Sequence, residues 1–167
     1  VEVILSESRR VVRSAPDVLI VEHRLGLVMA NAGVDQSNVA EPGTQQFALL
    51  LPVDPDGSAE RLRSELHRRC DAQVGVIIND SFGRPWRLGT VGTAIGSAGI
   101  PVLIDRRGKP DLFGRTLQVT VVAHADEIAA AAAATLASSV TSTASVWILS
   151  PALSARAAAS RAAGSLD

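Results

Sequence analysis

The sequence predicts a domain of the α/β or α+β class. Apolar runs bounded by turn residues indicate strands, whereas other segments carry the start signals of helices. A chain of 167 residues, of which 47% are hydrophobic, is long enough and apolar enough to form one domain with a buried core.

Two segments have helical patterns. The first begins with Asp54 as the N-cap and Pro55 as the first helical residue. Its apolar face carries Ala59, Leu62, Leu66 and Cys70. The second covers residues 128–137 and follows an acidic pair, residues 126 and 127, that suits the helix dipole. Its alanines permit a close neighbour. We expect that neighbour in the same chain, with another subunit as the alternative.

Two further segments are expected to be strands. Residues 115–123 alternate apolar and polar side chains, the period of a half-buried strand, and residues 146–149 form a short apolar run. Four glycines within residues 88–100 match neither a dinucleotide-binding fingerprint nor a P-loop. Turns and close backbone contacts are therefore favoured over a flexible wall near a substrate. These glycines are Gly89, Gly92, Gly96 and Gly99.

The composition narrows the functional class. A net charge of -1 argues against a broad nucleic-acid surface, and the apolar runs are too short to span a membrane. Cys70, the single cysteine, fits a reducing compartment, so we expect a cytoplasmic protein. His23, His67 and His124 are scattered and are interpreted as surface or element-end residues rather than as a catalytic set.

The strongest functional signal is residues 79–87, which directly follow the apolar run 74–78. Asp80 and Ser81 at a strand end offer the oxygen ligands that Mg²⁺ or Mn²⁺ prefers. Arg84 and Arg87 can neutralise a phosphate or carboxylate on that metal, and Trp86 lies between them. The alternative, of similar weight, is an ordinary turn with arginine stacked on a surface tryptophan.

A second polar segment, residues 31–39, follows the apolar stretch 25–30, which is expected to be a strand. Asp35 can ligate a metal, and Asn38 can hydrogen-bond a base, sugar or phosphate. Taken alone, this segment is better explained as an Asx turn or a helix cap. Two such strand ends can nevertheless face one cleft.

Together the two segments resemble the coenzyme F420:L-glutamate ligase family, also called F420-0 gamma-glutamyl ligases. The matching motifs are residues 32–38 (Ala-Gly-Val-Asp-Gln-Ser-Asn), 50–56 (Leu-Leu-Pro-Val-Asp-Pro-Asp) and 80–87 (Asp-Ser-Phe-Gly-Arg-Pro-Trp-Arg). The resemblance covers residues 1–140, with 141–167 as a divergent, Ala-rich end. It implies an α+β fold with a mixed sheet, flanking helices and an intertwined homodimer.

The resemblance also implies an activity. Members join L-glutamate to a deazaflavin that carries a phospholactate carboxylate, using GTP, Mg²⁺ or Mn²⁺ and an acyl phosphate. The positions matching metal ligands are Asp35, Asp80 and Ser81. At position 81 the family more often has Thr. Asn38 matches a GTP contact, and Ser37 and Trp86 are assigned to ligand binding with it. Asp80, Arg84 and Arg87 are assigned to catalysis.

Two departures from the family qualify these expectations. Members carry a further N-terminal segment that contacts the nucleotide and has no counterpart before Val1. Residues 150–152 (Ser-Pro-Ala) replace an expected Arg-Gly ending. The alternative function is therefore a non-catalytic nucleotide-binding or deazaflavin-binding module, or an assembly subunit.

Overall fold

A computed structural model describes residues 1–35, 47–136 and 145–149. In chain order its elements are α1 (Glu2–Ser6), β1 (Ser8–Ala15), β2 (Val18–His23), β3 (Val28–Ala30), a 3₁₀ turn (Asn31–Gly33), α2 (Pro55–Cys70), β4 (Gly75–Gly83), β5 (Thr90–Ala98), β6 (Ile104–Asp105), β7 (Val121–Val122), α3 (His124–Leu136) and β8 (Ser145–Leu149). The fold is α+β, as the sequence predicted.

The strands form three small sheets, with orders β1-β2-β3, β5-β4-β8 and β6-β7. Every pairing among the described strands is antiparallel. The prediction of a mixed sheet is therefore wrong for these strands. Antiparallel neighbours can be joined by short turns, whereas parallel neighbours need a long crossover. The short links after β1, β2 and β4 leave no room for such a crossover.

The core lies on both faces of β4, the middle strand of its sheet. Val76 and Ile78 pack on one face with Ala59 of α2. Ile77 packs on the other face with Ala125 and Ala129 of α3. This double burial explains why the sequence of β4 begins as a continuous apolar run rather than as an alternating one.

Helix α2 has the predicted start, and its predicted apolar face is confirmed except at Cys70. The Asp54 side chain caps it by accepting a hydrogen bond from Gly57 N at 2.9 Å. Ala59 is buried, and Leu62 and Leu66 are packed against the same cluster. Cys70, the last helical residue, is exposed and forms no disulfide.

Helix α3 begins at His124, four residues before the predicted apolar run. Asp126 Oδ1 accepts a hydrogen bond from Ala94 N at 2.9 Å, so the acidic first turn also ties α3 to β5. A β-bulge at this point leaves Ile95 unmatched in the β4–β5 ladder, and Ala94 N donates to the carboxylate. Ala125 and Ala129 are buried against Ile77 of β4, so α3 packs within the chain, as expected.

Glycines of β5 allow both helices to approach the sheet closely. A Cβ added at Gly92 would lie 2.6 Å from Ala129 O of α3, and one added at Gly96 would lie 2.5 Å from the Pro55 carbonyl carbon of α2. Gly89 and Gly99 instead have positive φ angles. The interpretation as turns and close backbone contacts is confirmed.

The strand predicted for residues 115–123 is wrong except at β7. Residues 104–122 form a long hairpin, the arm, held by backbone hydrogen bonds such as Gly108 N to Leu117 O at 2.8 Å. Val119 remains exposed. Alternation predicts a half-buried strand only where a sheet covers the apolar face, and nothing described covers this side of the arm.

His23 is not a surface residue, although it does end β2. Its side chain is fully buried, and Nδ1 accepts a hydrogen bond from Leu25 N at 3.0 Å. Nε2 lies 3.5 Å from Glu7 Oε2, and that oxygen accepts a hydrogen bond from Arg24 Nε at 2.6 Å. Burial lowers the pKa of His23, and Glu7 only partly opposes this effect.

In the described residues, no helix is long and apolar enough to cross a membrane.

We expect Gly96→Ala to lower the free energy of unfolding by about 1–3 kcal/mol, because the new methyl meets the backbone of Pro55, which cannot rotate away. Urea unfolding followed by circular dichroism measures the loss. The matched control is Gly83→Ala, whose Cβ would have no atom within 4 Å. Equal stability of the two variants would contradict this account of how α2 meets β5.

We expect the protein to lose stability as the pH falls below about 6.5, the ordinary pKa of histidine. The folded protein keeps His23 neutral, whereas the unfolded chain takes up the proton first, so protonation favours unfolding. Urea midpoints measured from pH 8 to pH 5 report the slope. His23→Asn should flatten this slope, and an unchanged slope in that variant would contradict the role given to His23.

Candidate functional site

A left-handed turn delivers Asp35 to the site. Asn31, Ala32 and Gly33 have φ angles of 51°, 54° and 64°. Non-glycine residues adopt this conformation at a cost of about 1–2 kcal/mol each, which the surroundings must offset. Asn31 Oδ1 accepts a hydrogen bond from Leu19 N at 2.9 Å, and Ala32 is fully buried. The chain thus turns sharply after β3, which is shorter than the strand predicted for residues 25–30.

Asp35 is then held by the backbone of a later segment. Its N–H donates to Leu49 O at 3.1 Å, and its carbonyl accepts from Leu49 N at 2.8 Å. The turn and this bridge hold the residue from both sides. A Cβ at Gly33 would lie 2.9 Å from Leu51 Cγ, so a larger residue would disturb the approach.

Asp80 lies inside β4 and not at a strand end, contrary to the sequence prediction. The strand continues to Gly83 because β5 pairs with it throughout, with Asp80 opposite Thr93. Asp80 is 8% exposed. Its Oδ1 accepts a hydrogen bond from Ser81 N at 2.7 Å. A carboxylate therefore stands in the covered part of the sheet.

The fold places Asp35 near enough to Asp80 for its negative charge to act on the Asp80 carboxyl. Strand β3, which precedes Asp35, contacts β4. Burial raises the pKa of Asp80; the Ser81 N–H opposes this, and the nearby negative charge of Asp35 raises the pKa further. Two carboxylates close enough to affect each other in a poorly solvated place repel when both are ionised. This pair is the electrostatic centre of the candidate site.

Ser81 follows Asp80 in the strand and is exposed. Because side chains alternate along a strand, the Ser81 hydroxyl points to the opposite face from the Asp80 carboxylate. Its role as a metal ligand stays a prediction. Ser37 and Asn38, assigned to nucleotide binding, lie outside the described residues.

Arg84, Trp86 and Arg87 occupy the loop formed by residues 84–89 between β4 and β5. All three are exposed. Arg84 Nη2 donates to Leu88 O at 3.1 Å, and Arg87 N donates to Arg84 O at 3.3 Å. The structure places this loop beyond the end of β4 and does not bring its side chains into contact with Asp80.

Sequence reasoning missed two neighbours of Asp80. Thr93 lies directly opposite Asp80 in the ladder, so its side chain shares the same face of the sheet. Asn79 is 3% exposed, and its Oδ1 has no hydrogen-bond partner in the part of the chain that the structure describes. The cross-strand position of Thr93 depends on register, and no local pattern signals it. Asn79 was within the recognised motif but carried no assigned role.

The residues present fit a divalent cation held jointly with a ligand. Among the described residues, no group of three or more His, Cys, Asp or Glu side chains could form a metal site alone. Mg²⁺ commonly takes one or two protein carboxylates and completes its coordination with water and substrate phosphates. The Asp35–Asp80 pair, whose mutual repulsion a cation would relieve, matches that description.

Comparison with known proteins now decides the family. A family model described as F420-0:Gamma-glutamyl ligase matches residues 1–149. The chain belongs to the F420-0:gamma-glutamyl ligase family. The match includes the motifs that carry Asp35 and Asp80, and it extends through β8. The resemblance noted in the sequence is thereby confirmed.

Curated relatives agree with this assignment. The chain is 54% identical over 132 residues to the coenzyme F420:L-glutamate ligase of Methanopyrus kandleri, covering 79% of this chain and 51% of that protein. It is 48% identical over 130 residues to the ligase of that name from Archaeoglobus fulgidus, covering 78% and 50%. The chain therefore spans about half the length of the curated relatives it matches.

We expect Asp80→Asn to increase stability at pH 7 when divalent cations are removed with EDTA. The folded protein holds the Asp80 proton more tightly than the unfolded chain, in which the carboxyl titrates near 3.8. Above the raised pKa, the ionised Asp80 carboxylate therefore destabilises the folded state. This destabilisation disappears as the pH falls towards 3.8. Urea midpoints of parent and variant should differ at pH 7 and converge at low pH.

The control for this comparison is Asp71→Asn, whose side chain is 97% exposed. It should change the free energy of unfolding by no more than about 0.5 kcal/mol at either pH. A loss of stability in Asp80→Asn at pH 7 in EDTA would contradict the repulsion argument.

Proposed function

We propose that this chain acts as a GTP-dependent and divalent-metal-dependent ligase that adds L-glutamate to coenzyme F420-0, a deazaflavin with a phospholactate carboxylate. The observation that carries the proposal is a buried carboxylate, Asp80, whose pKa is raised by burial and further by the negative charge of the partly buried Asp35. Relatives that are 54% and 48% identical to this chain over the matched residues are named coenzyme F420:L-glutamate ligase, which supports the proposed substrate and reaction class.

In this proposal Asp35 and Asp80 hold Mg²⁺ or Mn²⁺. Ser81, the further metal ligand carried over from the family, has its hydroxyl on the opposite face of β4 and would serve a separate cation. The cation supplies positive charge to the phosphate oxygens of GTP and so lowers the barrier to phosphoryl transfer. The buried position of Asp80 strengthens its interaction with a cation, because less water competes for the charge.

The proposed reaction has two steps. A carboxylate oxygen of the deazaflavin side chain bonds to the γ-phosphorus of GTP, the bond from that phosphorus to the bridging oxygen breaks, and GDP leaves. The amine nitrogen of glutamate then bonds to the acyl carbon, inorganic phosphate leaves, and the nitrogen loses its proton to solvent. Positioning and charge neutralisation carry most of such a reaction.

The other assigned residues serve binding and charge neutralisation. Arg84 and Arg87 are exposed on their loop and can offset the charge that accumulates when two anionic substrates meet. Ser37 and Asn38 are proposed to contact the nucleotide. No general-base histidine is needed, and His23 is fully buried beside Glu7, so it is not available for proton transfer to a substrate.

A second candidate is a binding module or assembly subunit that retains affinity for the nucleotide or the deazaflavin without turnover. It stands beside the ligase because the match covers 51% and 50% of two named relatives, and their names describe those longer proteins. Their remaining residues fall outside the comparison. The family resemblance further suggests a homodimer, which sedimentation of the purified chain would test.

Mass spectrometry tests the ligase directly. Incubation of the chain with F420-0, GTP, Mn²⁺ and L-glutamate should add the mass of one or more glutamate residues to the deazaflavin. Asp80→Asn should abolish the product while circular dichroism shows an intact fold, because the cation loses one of its two carboxylates. The control Asp71→Asn should keep parental activity.

A thermal-shift series separates the two candidates. Mn²⁺ at about one hundred times its Kd should stabilise the parent by about 2.7 kcal/mol and should not stabilise Asp35→Asn or Asp80→Asn. Cation binding without product formation would favour the binding module. Product formation by Asp80→Asn at the parental rate would overturn the proposed site.

A further inference from the structure

The loop 84–89 exposes an unusual combination of side chains. The relative solvent-accessible areas of Trp86 and Leu88 are 101% and 97%, so both residues are fully exposed. Arg84 and Arg87 of the same loop are also exposed. Large apolar side chains that face solvent next to charged groups often mark a ligand or partner site. Tryptophan is especially costly to expose because of its size.

The backbone holds the indole in this exposed position. Trp86 has a φ angle of 54°, a left-handed conformation that bulky residues rarely adopt. The turn is closed by Arg87 N donating to Arg84 O, and Arg84 Nη2 donates to Leu88 O. Gly89, with a φ angle of 80°, returns the chain to β5. The strained residue is the one that carries the exposed ring, which is typical of binding loops.

The chemistry of the loop selects a particular kind of ligand. An exposed indole offers a flat face for a planar ring, and guanidinium groups bind phosphate oxygens in a bidentate manner. A ligand that satisfies both is a planar heteroaromatic ring with a phosphorylated tail. A purely apolar partner would leave both arginines without an anion.

The separation between this loop and Asp80 limits the shape of a ligand that contacts both. Strand β4 continues for three residues from Asp80 to Gly83 before the loop begins, which is about 10 Å of extended chain. A ligand with its ring on Trp86 and its reactive end near Asp80 must therefore be elongated. F420-0 meets this condition, because a pentitol chain and a phosphodiester separate its ring from its carboxylate. GTP, with its triphosphate, also meets it.

We propose that loop 84–89 is a ring-stacking platform, on which Trp86 stacks against the planar ring of a substrate and Arg84 and Arg87 bind its phosphate. The assignment rests on the proposed function for the identity of the substrates. The ring chemistry is shared by the deazaflavin and by guanine. F420-0 is the expected occupant, because the proposed nucleotide contacts, Ser37 and Asn38, belong to the segment after Asp35 and not to this loop.

Tryptophan fluorescence tests the platform without requiring catalysis. The chain has two tryptophans, Trp86 and Trp147, so Trp147→Phe leaves Trp86 as the sole reporter. In EDTA, F420-0 and GTP are added in separate titrations. Saturable quenching by F420-0 is expected, and Arg84→Gln combined with Arg87→Gln should weaken it at least tenfold. Quenching by GTP alone would support the platform and identify guanine as its ring.

Calorimetry with the otherwise unmodified chain provides a second measurement if Trp147→Phe does not fold. Trp86→Ala should reduce F420-0 affinity at least tenfold, whereas Phe113→Ala, which removes an equally exposed aromatic ring from the arm, should not change it. Equal affinity of parent and Trp86→Ala for both F420-0 and GTP would overturn the platform. So would a Trp86→Ala variant that changes only the sedimentation coefficient, because the loop would then be a contact between copies.

The binding result and the ligase result are independent. Loss of F420-0 binding in Trp86→Ala would support the platform even if the parent shows no turnover, because these titrations contain neither cation nor glutamate. In an active parent, Trp86→Ala should raise the KM for F420-0 at least tenfold with little change in kcat. An unchanged KM would overturn the platform while leaving the ligase assignment intact.

Discussion

The burial of β4 on both faces is the constraint on which the rest of the structure depends. Helices α2 and α3 cover opposite sides of this strand, and each approaches so closely that only glycine fits at the facing positions of β5. A strand held in this way has little freedom to slide or bend, because a one-residue shift would turn its whole apolar set to the wrong side. Side chains on β4 are therefore placed precisely.

The rigid strand β4 fixes the position of Asp80, but it does so at an electrostatic cost. The same packing that positions the carboxylate removes it from water and raises its pKa. Asp35 increases that cost from a second segment, whose approach requires a strained left-handed turn at Asn31–Gly33. Strain and charge repulsion at one place are unfavourable for stability alone. A bound cation that needs both carboxylates would explain why the fold maintains them.

Two other parts of the chain show the opposite behaviour, because they expose apolar side chains that folding leaves uncovered. The loop 84–89 presents Trp86 and Leu88, and the tip of the arm presents Leu112 and Phe113. The loop differs from the arm in carrying a strained tryptophan near the end of β4, the strand that contains Asp80. Its position next to the candidate site, rather than exposure itself, distinguishes it.

Local signals were enough to predict the α+β class, the start of α2 at Asp54, a helix beyond the acidic pair 126–127, the strand at 146–149 and the family. These features depend on local signals such as caps, periodicity and motifs, which nearby residues supply. Long-range packing is what places Asp80 within a strand, puts the charge of Asp35 near it, buries His23 and leaves residues 115–123 mostly outside a strand. Each of these depends on which distant segment packs against the residue, and a local pattern does not specify its long-range partner.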